Sequence, residues 1–138
     1  SRQAELTILD SNGAIDALHE LRPVVSASEV VSMCEAVRKV HIASVLKGYM
    51  VDLSEASRTH VGLALGLSPR ATLQLARAAR AHAAGSGRDY CTPDDVKSVA
   101  QPVLAHRVMV RADAAARGLT AELAIDEVLA AVPVPAGR

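Results

Sequence analysis

Apolar residues recur every three to four positions along much of this chain, and capping or turn residues break the pattern into short stretches. That periodicity predicts amphipathic helices. Arg2 to Asp10 reads as a short helical segment closed by an Asp10-Ser11-Asn12-Gly13 turn, with a further short turn or helix from Ile15 to Leu21. Pro23 disfavours helix at Arg22, so residues 22–25 are expected to be extended. Ser26 and Glu29 form a capping box, and the helix they open places Val30, Cys34, Val37 and Val40 on one face, with Glu35, Arg38 and Lys39 away from it. The next helix spans Ala43 to Arg58, with Val45, Leu46, Tyr49, Met50 and Leu53 as its apolar face. Gly48 inside that helix costs about 1 kcal/mol relative to Ala, which predicts a close backbone approach there.

Thr59 to Leu67 reads as a loop. A helix then runs from Pro69 to Ala84 and stops at Gly85-Ser86-Gly87. Leu73, Ala76, Ala79 and Ala83 are expected to form a narrow packing face, with Arg70, Gln74 and Arg77 on a different one. After an extended link, Arg88 to Cys91, Thr92 caps a helix with Pro93 at its first position and Asp94 and Asp95 in its first turn. Val96, Val99, Ala100 and Val103 continue it to a bend or end near Pro102, and His106 to Val110 reads as extended. Thr120 caps a last helix bearing Ile125, Val128, Leu129 and Val132, ended by Pro133 and Pro135. The expected fold class is therefore all-α, a small helical bundle with short extended connectors.

Composition sharpens this picture. The chain has 138 residues, half of them apolar, yet no Phe or Trp and only Tyr49 and Tyr90 as aromatics. An Ala-rich, aromatic-poor chain of this length fits one domain of closely packed helices. Fifteen basic and fifteen acidic residues balance to a net charge of zero, which argues against a dedicated binder of nucleic acid or anionic membrane. No apolar run is long enough to span a bilayer, and no secretory signal is present. Cys34 and Cys91 are expected to be reduced thiols of a cytoplasmic protein. Ser1 stands where a start methionine would, and the first residues read like the end of a helix, so the chain is expected to be a piece of something longer.

Candidate chemistry centres on Gly66-Leu67-Ser68-Pro69-Arg70-Ala71. Ser68 can accept from the free N–H groups of the first turn, and Pro69 has no N–H to waste at its first position. A helix N-terminus carries partial positive charge, and Arg70 adds a planar, permanently charged fork suited to phosphate oxygens. The same pattern also serves as a plain helix cap, and the Arg70–Gln74–Arg77 stripe serves equally as a solvated surface. No Gly-rich loop ending in Lys-Ser/Thr is present, so nothing here cradles a triphosphate unaided. His19, His41, His60, His82 and His106 show no metal-ligand spacing, and His41 and His60 read as cations near helix C-termini. No nucleophile signature or paired acid appears, so the chain alone is not expected to be an enzyme.

Three segments in order are more specific than any one of them: Gly66 to Ala71, Gly87 to Val96 (GRDYCTPDDV) and Pro102 to Val108 (PVLAHRV), with Val132-Pro-Val-Pro135 closing the chain. Their order and spacing resemble the C-terminal lid domain of MoxR-family AAA+ ATPases, over roughly Val24 to Pro135. The resemblance implies residues 1–23 as the tail of the large ATPase domain and crossover, 24–135 as the helical lid, and 136–138 as a tail. It implies that Arg70 is the sensor 2 arginine, reaching ATP phosphates held by the large domain, with Ser68 and, more weakly, Arg77 on the same surface. Leu67 stands where the family often has Ala, and Cys91 replaces a more usual apolar residue, which fits core packing.

The resemblance further implies ATP and magnesium in the parent protein, with the phosphate cradle and metal-binding acids upstream, and none expected for the isolated chain. Implied partners are the large domain, neighbouring subunits in a hexameric ring, and client proteins remodelled or matured in a chaperone-like way, often ones with von Willebrand factor A domains. The alternative is a stand-alone helical interaction module: a histone-fold-like arrangement around residues 69–100, or an adaptor with no nucleotide role.

Overall fold

The computed structural model describes residues 1–10 and 21–135. The turn expected over 10–13, the short element at 15–21 and the tail at 136–138 lie outside the described residues. The chain divides into two units, Ser1–Met33 and Cys34–Arg138. The first holds helix α1 (Arg2–Asp10) and the start of α2 (Ala27–Lys39). Ser26 opens α2 as expected: its Oγ accepts from the Glu29 N–H at 3.2 Å, and its own N–H donates to Glu29 Oε2 at 2.6 Å.

The second unit holds α3 (Ser44–Thr59), β1 (Leu63–Leu65), α4 (Pro69–Gly85), α5 (Pro93–Leu104), a 3-10 turn (Ala105–Arg107), β2 (Met109–Val110), α6 (Ala112–Ala116) and α7 (Ala121–Ala131). The expected all-α bundle with short extended connectors is what forms. Leu46, Tyr49, Met50 and Leu53 of α3 meet Leu75 of α4, Val96 and Leu104 of α5, and Ile125 and Val128 of α7 in one core. Helix α4 contributes Ala71, Leu75, Ala79 and Ala83, all fully buried. The four stand at four-residue spacing and three are alanines, a narrow face that lets a neighbouring helix such as α5 pack close. Gly87, at φ +74°, ends α4: its N–H donates to Ala84 O, and the Arg88 N–H reaches Ala83 O. Two such bonds around a left-handed residue satisfy the last carbonyls of the helix.

Several expectations are corrected. No residue of α2 is buried, and Val30 is 45% and Cys34 largely exposed; of that predicted face only Val40, beyond the helix, enters the core. Periodicity marks a face able to pack, and only its last position, Val40, is used so among the described residues. Val45 is 62% exposed, because it lies off the buried stripe through Leu46, Tyr49, Met50 and Leu53. Gly48 faces open space, with nothing within 4 Å of a Cβ there, so no backbone approach explains it. On α4 the packing face is rotated from the expected one: Leu73 is 49% exposed and Leu75 fully buried. The loop expected over 59–67 contains β1, which pairs antiparallel with β2 through Leu63–Val110 and an irregular Leu65–Met109 register. The stretch expected to be extended over 106–110 begins instead as the 3-10 turn, and α5 carries on past Pro102 to Leu104. Among the described residues no helix is long and apolar enough to cross a membrane.

Candidate functional site

The start of α4 is built from the end of α3. Gly66 lies so close to that helix that a Cβ on it would stand 2.6 Å from Arg58 N, Arg58 Cα and Ser57 O. These are backbone atoms that cannot swing aside, so only glycine fits. Leu67 is buried and held at both polar groups: its N–H donates to Ser57 Oγ at 2.8 Å, and its carbonyl accepts from Arg58 Nε at 2.8 Å. Ser57 Oγ in turn donates to Ser54 O at 2.6 Å, and the Ser54 and Thr72 hydroxyls meet at 2.5 Å. The pairing of β1 with β2, extended by Arg111 N–H to Gly62 O at 2.9 Å, fixes the chain before this loop.

The motif then turns into the 17-residue α4. Ser68 is extended (φ −82°, ψ 160°), and its Oγ accepts from the Ala71 N–H at 3.3 Å. Pro69 takes the first helical position, as its fixed φ and missing N–H favour. Arg70 follows, exposed in the first turn, and among the described residues nothing hydrogen-bonds or ion-pairs with its guanidinium. Arg77, also exposed, stands about 10 Å further along the same face, two helical turns on. The structure thus puts Ser68, Arg70 and Arg77 on one helix: Ser68 as the cap, and the two arginines as cations presented to solvent. A cation with no internal partner, at a helix N-terminus that itself favours negative charge, is suited to binding an anion.

Sequence reasoning missed Ser57 and Arg58, which sit nine to ten residues before the atoms they hold and leave no periodic signal. It also missed a second polar centre at the other end of α4. Asp95, 1% exposed, accepts from Arg88 Nη1 at 2.7 Å and Nη2 at 2.6 Å, and from the Thr92 N–H at 2.7 Å, with His82 Nδ1 2.7 Å away. The Arg88 guanidinium, then His82 and the Thr92 cap, hold the Asp95 carboxyl far below the ordinary carboxylate range. The spacing Thr92-x-x-Asp95 is the readable signal, a capping box with an aspartate in the glutamate position. This centre ties the ends of α4 and α5 together and does not open onto Arg70's end of the helix. Burial pushes the Cys91 thiol up, as befits a packed core residue.

Residues 55–128, which include the whole motif and both polar centres, match the AAA lid domain family. The chain is 33% identical over 134 residues to the uncharacterized protein YeaC of Bacillus subtilis, covering 97% of this chain and 42% of that one. It is 39% identical over 110 residues to protein MoxR of Paracoccus denitrificans (70% of this chain, 32% of that one). It is 32% identical over 125 residues to chaperone MoxR1 of Mycobacterium tuberculosis (84% and 33%). The crystal structure of a "putative ATPase" from Cytophaga hutchinsonii superposes with a TM-score of 0.83 at 27% identity, over 99% of this chain and 44% of that one. The chain thus spans less than half the length of each of these relatives. The fold, the matched residues and these relatives agree: the chain belongs to the AAA lid domain family, and within it the relatives it resembles include MoxR proteins.

Proposed function

We propose that this chain is the lid of an ATP-hydrolysing MoxR-type protein, and that Arg70 is the cation with which the lid senses ATP phosphates. The observation that carries the reading is Arg70 itself, exposed and without an internal partner in the first turn of a helix whose start is clamped to α3. Charge on phosphoryl oxygens is stabilised by a preplaced cation, and one carried on a separate domain couples nucleotide state to that domain's angle. Ser68 fixes the helix start from which Arg70 projects. Arg77 extends the same surface toward the phosphates or an acidic partner.

In this reading the phosphate cradle and the acids that hold magnesium belong to a large domain upstream. Residues 1–23 are its tail and the crossover, residues 24–135 the lid proper, and 136–138 a tail. Leu9 of α1, an apolar side chain 74% exposed, supports that assignment, since a larger domain can cover it. The parent works in the cytoplasm as a hexameric ring and remodels or matures client proteins, von Willebrand factor A-domain proteins among them; the chaperone name of the Mycobacterium tuberculosis relative supports the remodelling role. A stand-alone histone-fold-like or adaptor module is less favoured, because the family match falls on the residues that would build it.

The test is ATP turnover by the chain joined to its native upstream sequence, wild type beside Arg70→Ala. Removing one preorganised donor to a charged transition state lowers turnover by about a hundredfold. The melting temperature should hold, since Arg70 is exposed and unpaired among the described residues. Unchanged turnover in the variant would sink the assignment.

A further inference from the structure

We infer that Arg58 is a positioning residue for Arg70, a role that rests on the phosphate-sensing reading above. Arg58 occupies the last turn of α3. Its Nε donates to the Leu67 carbonyl at 2.8 Å, and the backbone at Arg58 is the wall against which Gly66 is pressed. Leu67 thus has its carbonyl fixed by Arg58 and its N–H by Ser57, three residues before Arg70. Anchoring the N–H and the carbonyl of one residue fixes the peptide planes on both sides of Leu67, and so the direction in which the chain enters Ser68 and where the first turn of α4 presents its side chains. Arg58 also lines two surface cavities beside the loop, one with Pro69 and Leu73, the other with Ser68 and Arg107.

The rival account is that Arg58 acts by its charge, its outer nitrogens adding to the field at the phosphates. Glutamine separates the two. Its amide nitrogen sits as many bonds from the backbone as arginine Nε, so Arg58→Gln keeps a donor toward Leu67 O and removes the charge.

Two measurements on one set of variants decide the matter. In the 138-residue chain, amide exchange over residues 66–71 should quicken about tenfold in Arg58→Ala, the loss of one anchoring hydrogen bond, while α5 stays unchanged. Arg58→Gln should remain near wild type. In the chain joined to its upstream sequence, ATP turnover should fall roughly three- to tenfold in Arg58→Ala and hold within about twofold in Arg58→Gln. In an Arg70→Ala background, Arg58→Ala should cost nothing further, because a positioning residue has no effect once the group it positions is gone.

Unchanged exchange in Arg58→Ala, losses that simply add to those of Arg70→Ala, or an Arg58→Gln as impaired as Arg58→Ala each overturns the role. An active Arg70 beside an indifferent Arg58 refutes the positioning role alone. An Arg70→Ala with full turnover refutes the sensor reading, and this role with it.

Discussion

Replacing Asp95 by asparagine keeps the shape of a buried carboxylate and removes its charge. The carboxylate, 1% exposed, sits between Arg88, whose side chain is 28% exposed, and His82, and it closes the cap of α5. Asparagine turns an amide N–H₂ toward groups that are themselves donors, and it strips the guanidinium of its counter-charge. Breaking a buried pair by removing one partner costs about 3–5 kcal/mol, and an arginine that can still turn toward water brings this down to roughly 2–3 kcal/mol. For a domain near a hundred residues that lowers the melting temperature by about 10 °C.

The pH dependence has a definite sign. Arg88, first among its partners, holds the folded-state pKa of Asp95 below its unfolded value of about 3.9. The group's contribution is therefore complete above pH ~4 and lost as pH falls toward the folded pKa. Urea unfolding of the wild type and Asp95→Asn at pH 7, 4 and 3 reads both quantities. The gap should stand at its full value at pH 7 and narrow on acidification. A gap under about 0.5 kcal/mol at pH 7, the range of an ordinary surface change, refutes the reasoning, and so does one that widens as pH falls.

Two glycine substitutions should move stability in opposite directions. Gly66→Ala places a methyl 2.6 Å from backbone atoms of Ser57 and Arg58, so the loop has to shift; a loss of about 1–3 kcal/mol in urea unfolding is expected. Gly48→Ala enters open space inside α3 and removes unfolded-chain entropy, so thermal melting should show a gain of about 0.5–1 kcal/mol.

Helix starts were the most legible part of this fold, because caps are local chemistry. Ser26, Ser68, Thr92 and Thr120 each accept from the backbone N–H three residues on, as their types and positions imply. Faces were less legible. On α4 twelve of the seventeen residues are Ala, Leu or Arg, so Leu73 and Leu75 compete for the core on equal terms. The position of α5 decides between them, and no single helix encodes its neighbour. The β1–β2 pair was invisible for a related reason: strands of three and two residues carry no period, and the partners lie more than forty residues apart.

The site shows the same division within six residues. Ser68, Pro69 and Arg70 could be read from their order alone, since cap, first position and exposed cation are all properties of one helix end. What could not be read is why a glycine stands two residues ahead of the cap. Gly66 has no unusual turn to make; it is small because the backbone of Arg58 occupies the space a side chain would need. The same Arg58 holds the next carbonyl, so one residue both demands the glycine and anchors the loop. The Gly-Leu-Ser-Pro-Arg run is therefore half of a unit whose other half is the Ser57–Arg58 end of α3. The melting temperature of Arg58→Ala should fall less than that of Gly66→Ala, because the first removes one part-buried hydrogen bond and the second forces backbone atoms of the loop and α3 apart.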